Sequence, residues 1–315
     1  MPTTSHTGTT AEPHVSAETP LGNWLQEWDG FAEIQLRPAL GEPLRRDSDN
    51  DLVDDSEYEA AIRIRRNLDD LRGIRLQVQA GVVSTPNLFD HDNAESAYYG
   101  EVQLGDTFVP FSELRRGNFR ESAAATRVNA FRPYVRYRFS GVREGFLDRD
   151  IRDDHRGTLG MRYRRVPYVV ERTYTEDGVP IPPQLLPGFY FEIRAEVSRI
   201  WSTKATEELW NPRLQLDLYS PPFWSGARFV VRTTGEMNLF KDALAPDGSK
   251  RVDTRLRVLA GLDLSESLKD LLNLSDTGLQ AELLGRFQTR WSNDPAREHS
   301  RLYFVPSFGL TFPFQ

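Results

Sequence analysis

The chain contains no cysteine, which excludes disulfides and thiolate metal sites. Lysine is almost as scarce. Of the 39 basic residues, lysine accounts for Lys204, Lys241, Lys250 and Lys269, and the other 35 are arginine. No apolar run approaches the roughly 20 residues of a membrane helix. Hydrophobic residues make up 39% and the mean hydropathy is -0.53. That excludes helical spans, but a barrel touches lipid with every second strand residue and escapes the test. A net charge of -7 argues against nucleic acid as the main partner. No phosphate loop, dinucleotide fingerprint or zinc motif is present, and no cofactor is expected.

What the chain does have is period-two alternation. In Ile74-Arg75-Leu76-Gln77-Val78-Gln79-Ala80-Gly81-Val82, apolar and polar residues alternate strictly, which puts the two sets on opposite faces of a strand. The pattern recurs at 189–198, 213–218, 255–264 and 279–288, and more weakly near 28–37, 57–66, 96–105, 126–140, 157–174 and 226–240. Runs of ten or so residues exceed the five or six typical of soluble strands and match the roughly 9–11 of membrane strands.

The C-terminal stretch is the most specific. Phe304, Pro306, Phe308, Leu310, Phe312 and Phe314 alternate almost to the end, followed by Gln315. This resembles the C-terminal signature strand of Gram-negative outer-membrane β-barrel proteins. The resemblance implies an outer-membrane location among lipid and lipopolysaccharide, delivery by the barrel-assembly machinery, and a periplasmic C-terminus. Trp24, Trp28, Tyr58, Tyr98, Trp201, Trp210, Tyr219, Trp224, Trp291 and Tyr303 fall near strand ends, where aromatic girdles would sit.

The fold expected is all-β: a closed antiparallel transmembrane barrel over 23–315, behind a disordered lead-in over 1–22. The lead-in, Thr/Ser/Pro-rich and without an apolar core, is not a signal peptide. It reads as the start left by a removed signal or as part of a longer protein. Counting strands back from the C-terminus gives twelve, or fourteen if 106–125 hides another pair. Outer loops are expected at 38–56, 84–95, 141–156, 202–207, 241–250 and 292–300. Inner connections are expected at 67–72, 106–125, 175–187, 220–225 and 266–276, the last as a short helical turn.

With the apolar face toward lipid, the lumen receives Arg63, Arg65, Arg75, Arg136, Arg138, Arg162, Arg164 and Arg194. It also receives Arg213, Arg228, Arg232, Arg255, Arg257, Arg286 and Arg290. Glu57, Glu59, Glu101, Glu192, Glu196, Asp217, Glu236, Asp263 and Glu282 offset them in part. A GC-rich genome accounts for arginine over lysine, but not for its clustering on one face. Such a wall concentrates anions, and guanidinium grips carboxylate or phosphate bidentately. The lining is similar to that of twelve-stranded porins for acidic oligosaccharides. The function expected is passive diffusion of small anionic or saccharide solutes through an anion-selective channel, and not enzymatic. Alternatives are a polysaccharide-export barrel, a structural or adhesion barrel closed by Arg–Glu pairs, and a lipid-modifying enzyme. The last needs a Ser/His pair on one face, whereas adjacent His299 and Ser300 point to opposite faces. His91, His155 and His299 are expected in outer loops, where they could gather a metal. Asp47, Asp49 and Asp51 have the alternating acids of a calcium loop without its turn glycine or closing glutamate.

Overall fold

The computed structural model describes residues 29–37, 57–68, 74–85, 95–105, 131–144, 149–165, 168–169, 184–185, 189–223, 226–272 and 278–314. The lead-in over 1–22, the Asp47, Asp49 and Asp51 loop, His91, Trp24, Trp28 and Trp224 lie outside them. The alternating segments form β1 (Asp29–Arg37), β2 (Glu57–Leu68), β3 (Ile74–Thr85), β4 (Glu95–Gly105), β5 (Phe131–Glu144) and β6 (Arg149–Arg165). After the two-residue strands β7 (Tyr168–Val169) and β8 (Gln184–Leu185) come β9 (Tyr190–Ser202), β10 (Leu209–Tyr219) and β11 (Arg228–Leu244). β12 (Lys250–Asp263), β13 (Gly278–Ser292) and β14 (His299–Phe314) complete the set.

Twelve strands close into one antiparallel barrel. Each pairs with its neighbour, β6 meets β9, and β14 returns to β1. The β7–β8 pair is a separate two-stranded sheet and β4 pairs directly with β5, so the wall has twelve strands rather than fourteen. Closure matters because every backbone donor and acceptor inside a bilayer must be satisfied within the sheet. Barrel strands run from nine to seventeen residues, enough to cross at a tilt. The tilt shows in the register. Directly opposed residues starting at Gly30, by the chain terminus, run through Ile64, Val78, Val102, Tyr137, Gly157, Arg199, Trp210 and Leu239 to Val252, beside the turns at the opposite end.

At that opposite end the connections from β5 onward are short. Residues 145–148 replace the expected loop over 141–156, because β5 continues to Glu144 and β6 starts at Arg149. The missed stretch, Arg149 to Arg156, is nearly all charged or polar and hides its strand from a hydropathy reading. In the 245–249 turn, Gly248 takes φ 81 and donates to Ala245 O at 2.9 Å. Asp247 Oδ1 accepts from the Ser249 amide at 2.9 Å and hydroxyl at 2.7 Å. These bonds to the ionised form hold the Asp247 carboxyl below the ordinary aspartate range. Asn293 braces the next turn against this one, donating to Lys250 O at 2.9 Å and accepting from Val252 N at 2.8 Å. Long connections at the end that holds the termini follow β4, β6 and β12. One carries the expected helical turn as α1 (Ser265–Leu272), whose Ser265 amide is capped by Asp263 at 3.0 Å. The Ser265 hydroxyl accepts from Ala281 N at 3.0 Å, which ties α1 to β13.

Candidate functional site: the arginine-lined inner face

Alternation sorts the side chains. On β10, Leu214 is 57% and Leu216 43% exposed on the outer face, while Arg213, Gln215 and Asp217 point inward. The outer face of β14 presents Leu302, Phe304, Phe308 and Phe312. Exposed Trp201, Trp210, Trp291 and Tyr98 ring the short-turn end, and exposed Phe131, Phe189, Phe223 and Phe229 ring the other. Tyr219 and Tyr303, expected in a girdle, instead occupy inward positions. Their parity matches Asp217 and Arg301, and both pack into a buried cluster inside the barrel.

The sequence-predicted arginines Arg63, Arg65, Arg136, Arg138, Arg162, Arg164, Arg194, Arg213, Arg228, Arg232, Arg255, Arg257, Arg286 and Arg290 all take inward register positions. Arg75 lies in β3 opposite Gly105, with its side chain outside the described residues. Several arginines stand directly opposite one another. Arg132 faces Arg162, Arg162 faces Arg194, and Arg138 faces Arg156. Like charges in register repel, so carboxylates must come from adjoining positions.

Glu192 supplies the main one. It is 1% exposed and lies 2.6 Å from Arg164 Nη2, 2.8 Å from Arg194 Nη2 and 3.8 Å from Arg162 Nε. Glu196 accepts from the Tyr134 hydroxyl and from Arg136 Nη2 at 3.2 Å. Arg232 grips Glu282 bidentately at 2.5 and 2.8 Å, and Arg255 meets Glu236 at 3.0 Å. Arg63 meets Glu33 at 2.7 Å. Asp253 takes Arg290, Arg251 Nε at 3.4 Å and the Ser292 hydroxyl at 2.6 Å. Each of these pairs joins residues of one strand, adjacent strands or strands one apart. The network therefore runs around the wall rather than across the bore.

The inner face is not uniformly polar. An opposed row of Tyr190, Tyr219, Val230, Gly261, Leu284 and Val305 crosses β9 to β14 near the terminal end, and Val230, Leu284, Tyr303 and Val305 are buried together. Sequence reading missed this patch. Its signal was the break in alternation at the doublets Leu283-Leu284 and Phe304-Val305. It also missed Glu33 and Asp253, and Arg152, Asp154 and Arg156 of the presumed loop.

At the short-turn end, β3, β4, β5, β6 and β9 enclose a cavity of about 340 Å³ that reaches Arg138, Arg152, Asp154 and Arg156. His155, expected in a loop, is on the outer face of β6 with Nδ1 2.6 Å from the Tyr137 hydroxyl. His299 is buried on the inner face of β14 and not in a loop, so the two do not converge. Among the described residues no group of three or more potential ligands is placed to hold a metal. Ser300 points away from His299, and its Oγ lies 2.9 Å from Thr289 Oγ1.

Closed backbone bonding, an apolar exterior with aromatic rings at both ends and a charged interior define a β-barrel of the Gram-negative bacterial outer membrane. No protein-family model and no curated protein matches the chain. Among solved structures it is similar to the β domain of the Bordetella autotransporter BrkA, at 10% identity and a TM-score of 0.37, covering 92% of this chain and 99% of that one. It is also similar to LpxR from Salmonella typhimurium, at 7% identity and a TM-score of 0.38, covering 90% and 100%. A third, the translocator domain of autotransporter NalP from Neisseria meningitidis, has 10% identity and a TM-score of 0.34, covering 91% and 88%.

Proposed function

We propose that the barrel is a non-enzymatic channel for passive diffusion of small anionic or saccharide solutes, selecting anions through its arginine wall. The observation that carries this reading is the in-register row Arg132, Arg162 and Arg194, with Arg138 opposite Arg156 further along the same β5–β6 seam. A fold seeking stability alone would alternate charges at such positions, since each direct arginine pair is repulsive. In a narrow low-dielectric conduit this surplus raises local anion concentration and repels cations. The partners are outer-membrane lipid and lipopolysaccharide, the barrel-assembly machinery reading the terminal Phe-rich strand, and the solute.

A second reading is a non-conducting barrel closed by its own ion pairs. The near-complete burial of Glu192, Arg162 and Gln288 favours it. Single-channel conductance in a planar bilayer under a salt gradient separates the two. Steady conductance with anion preference, weakened by Arg136→Gln or Arg257→Gln, supports the channel. A folded but silent barrel sinks it in favour of the closed barrel.

A further inference from the structure

We infer that the cavity at the short-turn end is a binding site for a small organic carboxylate with an apolar body. Its volume of about 340 Å³ falls within the range of small-molecule sites. One side is cationic, formed by Arg138, Arg152 and Arg156. Apolar surface adjoins it from Val83, Val142 and Ile200, with Val142 opposite Arg152 and Ile200 opposite Arg156 in register. This mixed lining of guanidinium and aliphatic groups suits an anionic head on a hydrocarbon or aromatic body better than a bare inorganic ion or a polyhydroxylated sugar.

The cations differ in how far the protein satisfies them. Arg152 is held by Asp154 at 3.0 Å, which also neutralises the one carboxylate lining the cavity. Arg138 Cζ sits over the Tyr99 ring, 3.8 Å from its centroid, and Nε donates to Ser140 at 3.3 Å. Its nearest carboxylate, Glu101, is 3.9 Å away and is shared with Arg136. Arg156 makes no hydrogen bond or ion pair among the described residues. The charges around it are those of Arg136, Arg138 and Arg213, with Glu236 opposing them. Glu236 is itself bound to Arg255. A guanidinium kept among like charges, with its fork of donors unused beside a cavity, is arranged to receive a carboxylate.

The site deepens the reading of the inner face as anion-attracting, yet binding does not require conduction. The test is calorimetric titration of the refolded barrel in detergent with benzoate, with benzamide as its uncharged counterpart, and with inorganic phosphate. Saturable 1:1 binding of benzoate is expected, with none of benzamide and weaker binding of phosphate. Arg156→Gln is expected to weaken benzoate by about tenfold or more, and Arg156→Lys by less, because it keeps the charge and loses the fork. Thermal unfolding of Arg156→Gln should not fall, since the change relieves repulsion. That outcome separates a binding residue from a structural one. Failure of benzoate to bind, affinity untouched by Arg156→Gln and Arg138→Gln, or phosphate bound as tightly as benzoate would each overturn the inference. A silent bilayer with intact benzoate binding removes the channel and leaves this site. Anion-selective conductance without benzoate binding does the reverse.

Discussion

Arg164 Nη2 lies 2.6 Å from Glu192 Oε2 across the β6–β9 seam, and the same carboxylate also holds Arg194 and Arg162. One buried anion thus offsets three guanidinium groups that would otherwise repel along the wall. Removing it leaves buried cations without a counter-charge, a loss of about 3–5 kcal/mol for a broken buried pair. Glu192→Ala is therefore expected to destabilise the barrel by that order, and Glu192→Gln by less because it still accepts hydrogen bonds. Equilibrium urea unfolding in lipid vesicles reads both. Wild-type stability in Glu192→Ala would show that solvent in the lumen already screens these charges.

Tyr134 and Gly160 face each other across β5 and β6, and the tyrosine ring covers the glycine. A Cβ at Gly160 would stand 2.3 Å from Tyr134 Cζ, too close for any side chain. The ring, held there, directs its hydroxyl to Glu196. Gly160→Val should displace the ring and break that bond, costing about 1–3 kcal/mol as overpacking does. In a Tyr134→Ala background the same change should cost much less. The double-mutant cycle in the same unfolding assay measures the coupling, and strict additivity would refute it.

The alternation that reveals the wall in the sequence works because lipid selects every second residue and the lumen selects the rest. It located Leu214 and Leu216 outside and Arg213 inside without further information. It failed where that selection relaxes. β6 begins with Arg149, Asp150, Arg152, Asp153 and Asp154, which carry no apolar face, so the strand read as a loop and took Arg152 and Arg156 of the cavity with it. Tyr219 and Tyr303 read as girdle residues because their type says interface, while their parity says lumen. Partner choice was also hidden. Glu192 and Arg164 are 28 residues apart in sequence and meet through the β6–β9 register, which skips β7 and β8.

The two faces of β10 give opposite expectations for one substitution. Leu214→Arg puts a cation on the lipid face, at a cost of about 2–4 kcal/mol near the bilayer midplane. Gln215→Arg, one residue on, adds a cation to the polar inner face and should cost far less. Folding yield and urea midpoint in vesicles of fixed thickness compare the pair. Equal losses would mean that the inner face of β10 is as dry as the outer.

Stability and selectivity should separate between Arg138 and Arg232. Arg232 is neutralised by a bidentate grip on Glu282 at 2.5 and 2.8 Å, so its charge contributes little to the field in the bore. Arg138 is 31% exposed, with its nearest carboxylate 3.9 Å away and shared with Arg136, so on the channel reading it adds more than Arg232 to the field in the bore. Arg232→Gln should lower the unfolding midpoint and leave the reversal potential almost unchanged. Arg138→Gln should leave stability nearly intact and reduce anion preference. The wild-type preference should itself fade as salt rises, because the screening length shrinks from about 10 Å at 0.1 M to about 3 Å at 1 M. Reversal potentials at both salt concentrations, with urea midpoints for the two variants, check every part. A preference that survives 1 M salt would have to come from direct ion coordination rather than from the summed field of the wall.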